Sequence, residues 1–394
     1  MSITRPVYRK TRIHNGPTVV PLNLVAGLVE DATPALAYRI ALGDAQCPGR
    51  SWEQQMWASH RCPPSRSTLE RIAKKIGAAV KASASPILAQ VRREENLGEQ
   101  AHAICLGLDR TTIPMEEPLR AGDTRDPALR KRKKPYVRRA PAPVEVKYRM
   151  GYVGTVSVMD RDGDCVRTLK YACAANEDPE VEIQKMLSDV RHLLHERHAT
   201  GAPPPRLAIV QDGAPEMWNL LEGGLRQGLP GVPYDKAIDR YHLDERLSEA
   251  LRLLRVPVGK RGSLLARWKR LLNDEDAGIE TVEAELTRTI RKYSSPRLSA
   301  EDASVIAGTQ TYLRTNKRRM RYATLRRQGL PVGSGATEGA CKSTIMIRAK
   351  GCGQRWHTRG VSAVLELRAL YMSDRLPAAW SAFQQLRHAT VQAA

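Results

Sequence analysis

The stretch PRLAIVQDGAP, Pro205–Pro215, decides the fold class. Leu207 to Val210 is a short apolar run of the kind a buried strand shows. It stops at an acid, Asp212, followed by Gly213 where the chain must turn. Upstream, AICLGLD, Ala103–Asp109, repeats the design, a brief apolar run ending in Asp109. Between the two, MGYVGTVSVMDRDGDCVRTLKYACA, Met150–Ala174, gives two β-rich runs joined by Asp162–Gly163, the turn chemistry of a hairpin. DPEVEIQKMLSDVRHLLHERHATG, Asp178–Gly201, then has helical periodicity with Asp178 as cap and Gly201 near its end. DKAIDRYHLDERLSEALRLL, Asp235–Leu254, reads as a brief strand entering a helix, and from there to about Gln328 the text is helical and basic with no convincing strand. The order strand, hairpin, helix, strand, helices predicts an α/β protein, a mixed-sheet core interrupted by an all-helical insertion.

The flanks are different in kind. Thr33 and Pro34 open a helix expected over residues 33–46, and a second is expected around Ser51–His60. PPSRSTLERIAKKIGAAVKA, Pro63–Ala82, gives a third, capped at Ser65 or Ser67 and carrying Arg66, Arg71, Lys74 and Lys75. Three short helices ending in a basic one suit a helix-turn-helix unit on DNA; the plainer alternative is a small bundle with a solvated basic face. The segment from Glu116 to Arg149 is rich in Pro and contains the run Arg130, Lys131, Arg132, Lys133, Lys134. It has too few apolar residues to offset its ordering entropy, so it reads as an arm or linker that orders on phosphates. The expected organisation is therefore an N-terminal helical DNA-binding domain (1–95), a first core part (96–240, with the arm at 116–147), a helical insertion (241–330) and a C-terminal core part with basic helices (331–394).

Composition narrows the partners. The chain's 394 residues suffice for two or three domains. Lys and Arg number 63 against 42 Asp and Glu, a formal charge of +21, which points to a polyanion, most simply nucleic acid. The basic N-terminus has no apolar stretch of signal-peptide length and nothing later reaches the length of a membrane span, so a cytoplasmic protein with no membrane partner is expected. The seven cysteines are scattered without a Cys-x-x-Cys pair, which argues against a disulfide framework or a zinc ribbon.

PVGSGATEGACKSTIMIRAKG, Pro331–Gly351, places Glu338 where a Gly/Ser loop enters a helix in a basic neighbourhood. A lone acid in a first turn complements the helix dipole. Set beside Asp109 and Asp212 at strand ends, it also completes a set of hard oxygen ligands for Mg²⁺ or Mn²⁺, and two ions held by such a set serve in-line phosphoryl displacement. Asp160 rivals Asp109, since it too follows an apolar run, but Arg161, Asp162 and Gly163 make its neighbourhood a hairpin turn, where Asp is favoured for its own hydrogen bonds.

The blocks LGLDRTTIPMEE, YVGTVSVMDRDGD, VQDGAPEMWNLLE, DRYHLDERL and the long stretch from Asn316 to Tyr371 occur in an order that resembles DDE-type transposases of bacterial insertion sequences. The likeness is strongest to the Kra-type group related to the Mutator-like and IS-Lre transposases. It implies a ribonuclease H-like core and a catalytic triad on Asp109, Asp212 and Glu338, with two Mg²⁺ or Mn²⁺ ions and no small-molecule cofactor. It also marks DRYH, matching Asp239 and His242, where His242 would touch the scissile phosphate or orient a water; a capping Asp and a packed His are the alternative. Lys342, Arg348, Lys350 and Arg355 are expected to meet phosphates, and Trp356 either stacks on an unpaired base or lies in the core. The implied activity is metal-dependent cleavage at element ends and transfer of the freed 3′-hydroxyl into target duplex, by a dimer or higher oligomer on DNA in a prokaryotic cytoplasm at the nucleoid. A catalytically silent DNA-binding protein and a nuclease that cleaves without joining are the competing expectations.

Overall fold

The computed structural model describes residues 7–9, 18–30, 32–59, 61–118, 144–294 and 298–392. Two short paired strands, β1 (Tyr8–Arg9) and β2 (Thr18–Val19), lead into α1 (Pro21–Val25). Helix α2 (Pro34–Gln46) begins as expected, with the Thr33 hydroxyl accepting the Leu36 N–H and Pro34 in the first turn, where its missing N–H costs nothing. After α3 (Gly49–Ala58), Ser65 caps α4 (Arg66–Ala82), and α5 (Ala84–Glu94) follows. Leu69, Ile72, Ile76 and Val80 recur at helical spacing along α4 and are all buried, leaving Arg71, Lys74 and Lys75 on the opposite, exposed face.

The core is a five-stranded mixed sheet built from β3 (Ala103–Pro118), β4 (Val144–Met159), β5 (Cys165–Cys173), β6 (Arg206–Gln211) and β7 (Asp235–Ile238), in the order β5-β4-β3-β6-β7. Strands β3, β4 and β5 are antiparallel neighbours, whereas β6 and β7 run parallel to β3. Helix α6 (Pro179–Ala199) crosses from the hairpin to β6, and α7 (Pro215–Gly228) from β6 to β7. Then come α8 (Arg240–Leu253), α9 (Val258–Asp274), α10 (Gly278–Tyr293), α11 (Ala300–Asn316) and α12 (Tyr322–Arg327), with no strand among the described residues of this stretch. The chain returns through α13 (Gly335–Ala340), a π-helical turn at Cys341–Met346, α14 (Ile347–Ala349), α15 (Thr358–Met372) and α16 (Leu376–Gln392). No helix among the described residues is long and apolar enough to cross a membrane.

Strand β3 runs past Asp109, where the sequence placed its end, to Pro118. Beyond Leu106 it has no β6 partner; on that side the Pro114 carbonyl and the Glu116 N–H bond Trp356 instead, so Pro114 stands in the strand without costing a ladder bond to β4. Its other side pairs with β4 over sixteen consecutive positions, so the expected arm at 116–147 begins and ends as strand. The rest of that arm, 119–143, lies outside the described residues, as do Arg130, Lys131, Arg132, Lys133 and Lys134.

Residues 1–95 do not close a core of their own. Ile40, Leu69, Ile76 and Val91 share one apolar cluster with Leu367, Leu370, Leu376 and Phe383 of the C-terminal helices. Helix α4 comes so close to α15 that a Cβ on Gly77 would lie 2.2 Å from the Ala363 carbonyl oxygen. The expected boundary at 95 therefore separates stretches of sequence, while the packing unites the two ends of the chain.

Candidate functional site

The parallel register sets the site. Leu106 of β3 is paired with Ile209 of β6, the last such pair, and the residues three further along each chain, Asp109 and Asp212, line one cleft. Gln211 lies level with Ile238 of β7, so the next residues, Asp212 and Asp239, are level as well. The three aspartates thus follow the carboxyl ends of the paired parallel segments, where open α/β sheets place their ligand crevices. Asp212 is held by a turn: its Oδ1 accepts the Ala214 N–H at 2.9 Å, its carbonyl accepts the Trp218 indole N–H at 2.7 Å, and α7 starts directly after. Asp109 Oδ1 accepts the Arg110 N–H at 2.7 Å. The Cys341 thiol faces Asp109, and burial together with that carboxylate pushes it up to about 12, so it stands protonated as a donor beside the acid.

Glu338, in the first turn of α13, brings the fourth acid to the same end of the sheet. Its Oε1 accepts the Ser334 hydroxyl at 3.1 Å and lies 3.1 Å from Nε2 of His242, whose Nδ1 is 3.5 Å from Glu245. Asp239 has the capping role: it is fully buried, and Oδ1 accepts the N–H groups of Tyr241 and His242 at the start of α8. Its other oxygen accepts the Ser334 N–H, and its own N–H donates to the Gln211 carbonyl at 2.7 Å. One buried residue therefore ties β6, through its N–H, to α8 and the loop carrying Ser334, through its carboxylate, and so sets His242 against Glu338.

A second device seats α13. The Thr337 and Thr155 hydroxyls are 2.8 Å apart, and Thr337 lies directly over Gly107 of β3, where a Cβ would meet its Oγ1 at 2.0 Å. Only glycine leaves room for the turn that carries Glu338 to lie on the strand that carries Asp109.

Asp109, Asp212, Glu338 and His242 line one cleft of about 210 Å³ with Gln211, Ser334 and Thr337. Gln211 is buried, donates from Nε2 to the Met217 carbonyl at 3.2 Å, and leaves Oε1 without a donor. Three carboxylates and an unpartnered amide oxygen are hard donors, the set that suits Mg²⁺ or Mn²⁺ in kind. Among the described residues no three His, Cys, Asp or Glu side chains stand close enough to share one ion in this arrangement. Closing such a set requires Glu338, whose side chain is half exposed, to turn away from His242. Asp160 is elsewhere, with Oδ1 accepting the N–H groups of Asp162 and Asp164 in the β4–β5 turn, as its neighbourhood predicts.

The expected DNA contacts divide. Lys342, Lys350, Arg355, Arg66, Arg71 and Lys74 are exposed, with Arg71 bonded to Glu30 and Lys350 donating to Thr111 and Thr112. Lys74 and Arg355 line a common cleft of about 310 Å³ between α4 and the 353–357 loop, although they are far apart in sequence. Arg348 is a correction, and Trp356 takes the second of its two expected places. Arg348 is 3% exposed, donates to both the carbonyl and the carboxylate of Asp44, and stacks on Trp356 with its guanidinium 5.2 Å from the ring. Trp356 is buried, donates its indole N–H to Ala349 and bridges to Met115, so its place is in the core. Gln211, Ser334, Thr337 and Cys341 were not singled out from sequence; their adjacency to Asp212 and Glu338 was the one available signal.

Compared with known proteins, the chain matches no family model, and no curated protein sequence matches it.

Proposed function

We propose that the protein is a DDE-type transposase, an enzyme that cuts phosphodiester bonds at the ends of a mobile element and joins the freed 3′-hydroxyls to target DNA. The observation that carries the reading is the convergence of Asp109, Asp212 and Glu338 on one cleft of a chain of charge +21. The mixed sheet with its helical interruption fits the ribonuclease H-like core that the resemblance implies. Asp109, Asp212 and Glu338 would hold two Mg²⁺ or Mn²⁺ ions, which supply Lewis acidity for an in-line displacement. His242, already against Glu338, is placed to hold or pass a proton at the attacking or leaving oxygen. Gln211 Oε1 is an acceptor ready for a water in the same cleft.

The test uses full-length protein and labelled duplexes spanning the DNA that flanks its coding sequence. Nicking and joining to a second duplex are expected with Mg²⁺ or Mn²⁺ and are expected to stop in EDTA; full activity in EDTA sinks the metal assignment. Nicking without joining identifies a nuclease, and binding with neither identifies a DNA-binding protein.

Gly107→Ala tests the seating of Glu338. The new methyl forces Thr337, and with it α13, off β3, and a displacement of about 1 Å from productive geometry costs roughly 10²-fold in rate. Nicking should fall by about that factor with the melting curve little changed. Adding Thr337→Ala, which removes the 2.0 Å clash, should restore about tenfold. A Gly107→Ala protein with wild-type rate shows that Glu338 does not depend on this contact.

A further inference from the structure

Away from the carboxylate cleft, a cleft of about 570 Å³ opens between the start of β7 and the α11–α12 turn. Lys236, Arg318, Arg319 and Arg321 line it against a single acid, Asp235, with Tyr234 and Thr315 beside them. Two of these cations are fixed from within. Lys236 and Arg319 both reach Glu222, at 2.8 and 3.4 Å, and Arg319 stacks over Trp218 at 4.1 Å. The other two are exposed, and among the described residues neither the Arg318 nor the Arg321 side chain has a hydrogen bond or ion pair. Nearby cations of the same turn are engaged: Arg314 with Glu283 and Arg327 with Asp276. The cleft thus has a braced cationic floor and two guanidinium groups without a hydrogen-bond partner among the described residues, Arg321 lying within electrostatic reach of Asp276.

We infer that this cleft is a second phosphate site, which grips the backbone of a nucleic acid strand through Arg318 and Arg321. Guanidinium forks match phosphate oxygens two at a time, and the threonine hydroxyl adds a donor of the sort that fixes backbone register. An acidic peptide offers the same charge, but Leu325 is the lone aliphatic residue lining the cleft to hold its side chains, and the excess charge of the chain as a whole favours a polyphosphate. Position supports the choice. Strand β7 starts in this cleft and leads directly to Asp239, and the chain from Asp235 to Asp239 spans about 13 Å at roughly 3.3 Å per residue. That is about four nucleotides of duplex at roughly 3.4 Å each. The inference rests on the proposed reading only in taking the polyanion to be nucleic acid.

The experiment measures affinity of the full chain for a fluorescent 30-base-pair duplex across a salt series. Each phosphate contact contributes about 0.9 to the slope of log K against log salt, so Arg318→Gln with Arg321→Gln should lower the slope by about two. The double Lys variant at the same positions should keep it. Arg291→Gln with Lys292→Gln removes equal charge from an exposed helix end outside the cleft and should lower the slope by less than one. An unchanged slope in the Arg318/Arg321 Gln variant, with wild-type protein binding steeply, overturns the site and leaves the catalytic reading intact. Wild-type binding with no divalent-dependent nicking does the reverse. Inorganic polyphosphate and polyglutamate serve as competitors: displacement of duplex by polyglutamate at lower charge concentration than by unlabelled duplex overturns the nucleic acid assignment in favour of an acidic protein. Polyphosphate binding tighter than duplex, and equally lost in the Gln variant, overturns it in favour of a free polyanion.

Discussion

Asp212→Asn stops nicking and joining together while leaving the protein folded. The amide keeps the shape of the carboxylate and its oxygen still accepts the Ala214 N–H, so the turn into α7 is retained. What is lost is a charged hard ligand. Lewis-acid stabilisation is worth several kcal/mol, and at about 1.36 kcal/mol per decade the rate should drop on the order of 10³-fold or more. Asp109→Asn and Glu338→Gln should behave alike, because the proposed ions serve both displacements. Duplex affinity should hold or rise slightly, since one negative charge no longer repels phosphate. Asp160→Asn is the control: its Oδ1 accepts two backbone N–H groups in a turn, so the amide should cost some stability and no chemistry. The measurement is the rate of 3′-end nicking and of joining a pre-cut end for each variant beside its melting curve. A variant at Asp212 that fails to nick but joins a pre-cut end at wild-type rate refutes a shared site. An inactive but folded Asp160 variant beside an active Asp109 variant assigns the first acid to the other strand.

The sequence showed those elements whose signals are local. Thr33, Ser65 and Asp178 cap the helices they were expected to cap, the Asp162–Gly163 turn joins β4 to β5, and the apolar runs before Asp109 and Asp212 are strands. Asp212 was therefore legible as a strand-end residue, whereas Asp109 lies within β3, which runs on to Pro118. Their convergence on one cleft was not, because it depends on the pairing of β3 with β6, which are a hundred residues apart, and no local pattern encodes it. The role of Asp239 was hidden for the same reason: it looks like any helix cap until its second oxygen is seen on Ser334. Arg348 misled in the opposite direction. A cation in a basic segment has the composition of a DNA contact, and only the tertiary return of the chain onto Asp44 turns it inward; for Trp356, left open between base and core, the bridge to Met115 decides for the core. The partner of α4 was not legible, because its apolar face announces burial without naming what covers it, and that partner is α15, nearly three hundred residues away.

That seam between the ends of the chain is pinned by one buried acid, and removing it should cost the most stability of any single change considered. Asp189 of α6 is 1% exposed. It accepts from Arg92 of α5 at 2.8 Å, from Arg375 between α15 and α16 at 2.8 Å, and from the Tyr171 hydroxyl of β5 at 2.6 Å. Arg375 also bonds Glu95, which Arg167 reaches at 3.1 Å, so the network spans the N-terminal helices, the sheet and the C-terminal helices. Asp189→Ala leaves buried guanidinium groups short of a counter-charge, a change that typically costs about 3–5 kcal/mol. Burial alone would raise the Asp189 carboxyl above its ordinary value, but Arg375 and Arg92 outweigh it and hold the carboxyl below that value. The sign follows. A carboxylate with a depressed folded value stabilises fully above the unfolded value of about 3.9 and loses that contribution as pH falls through the folded value. The gap in urea midpoint between wild type and Asp189→Asn should thus be constant from about pH 7 to 5 and narrow below about 4. A gap that stays constant down to about pH 2, or that widens with acid, would mean that Asp189 is not the ionised centre of this network.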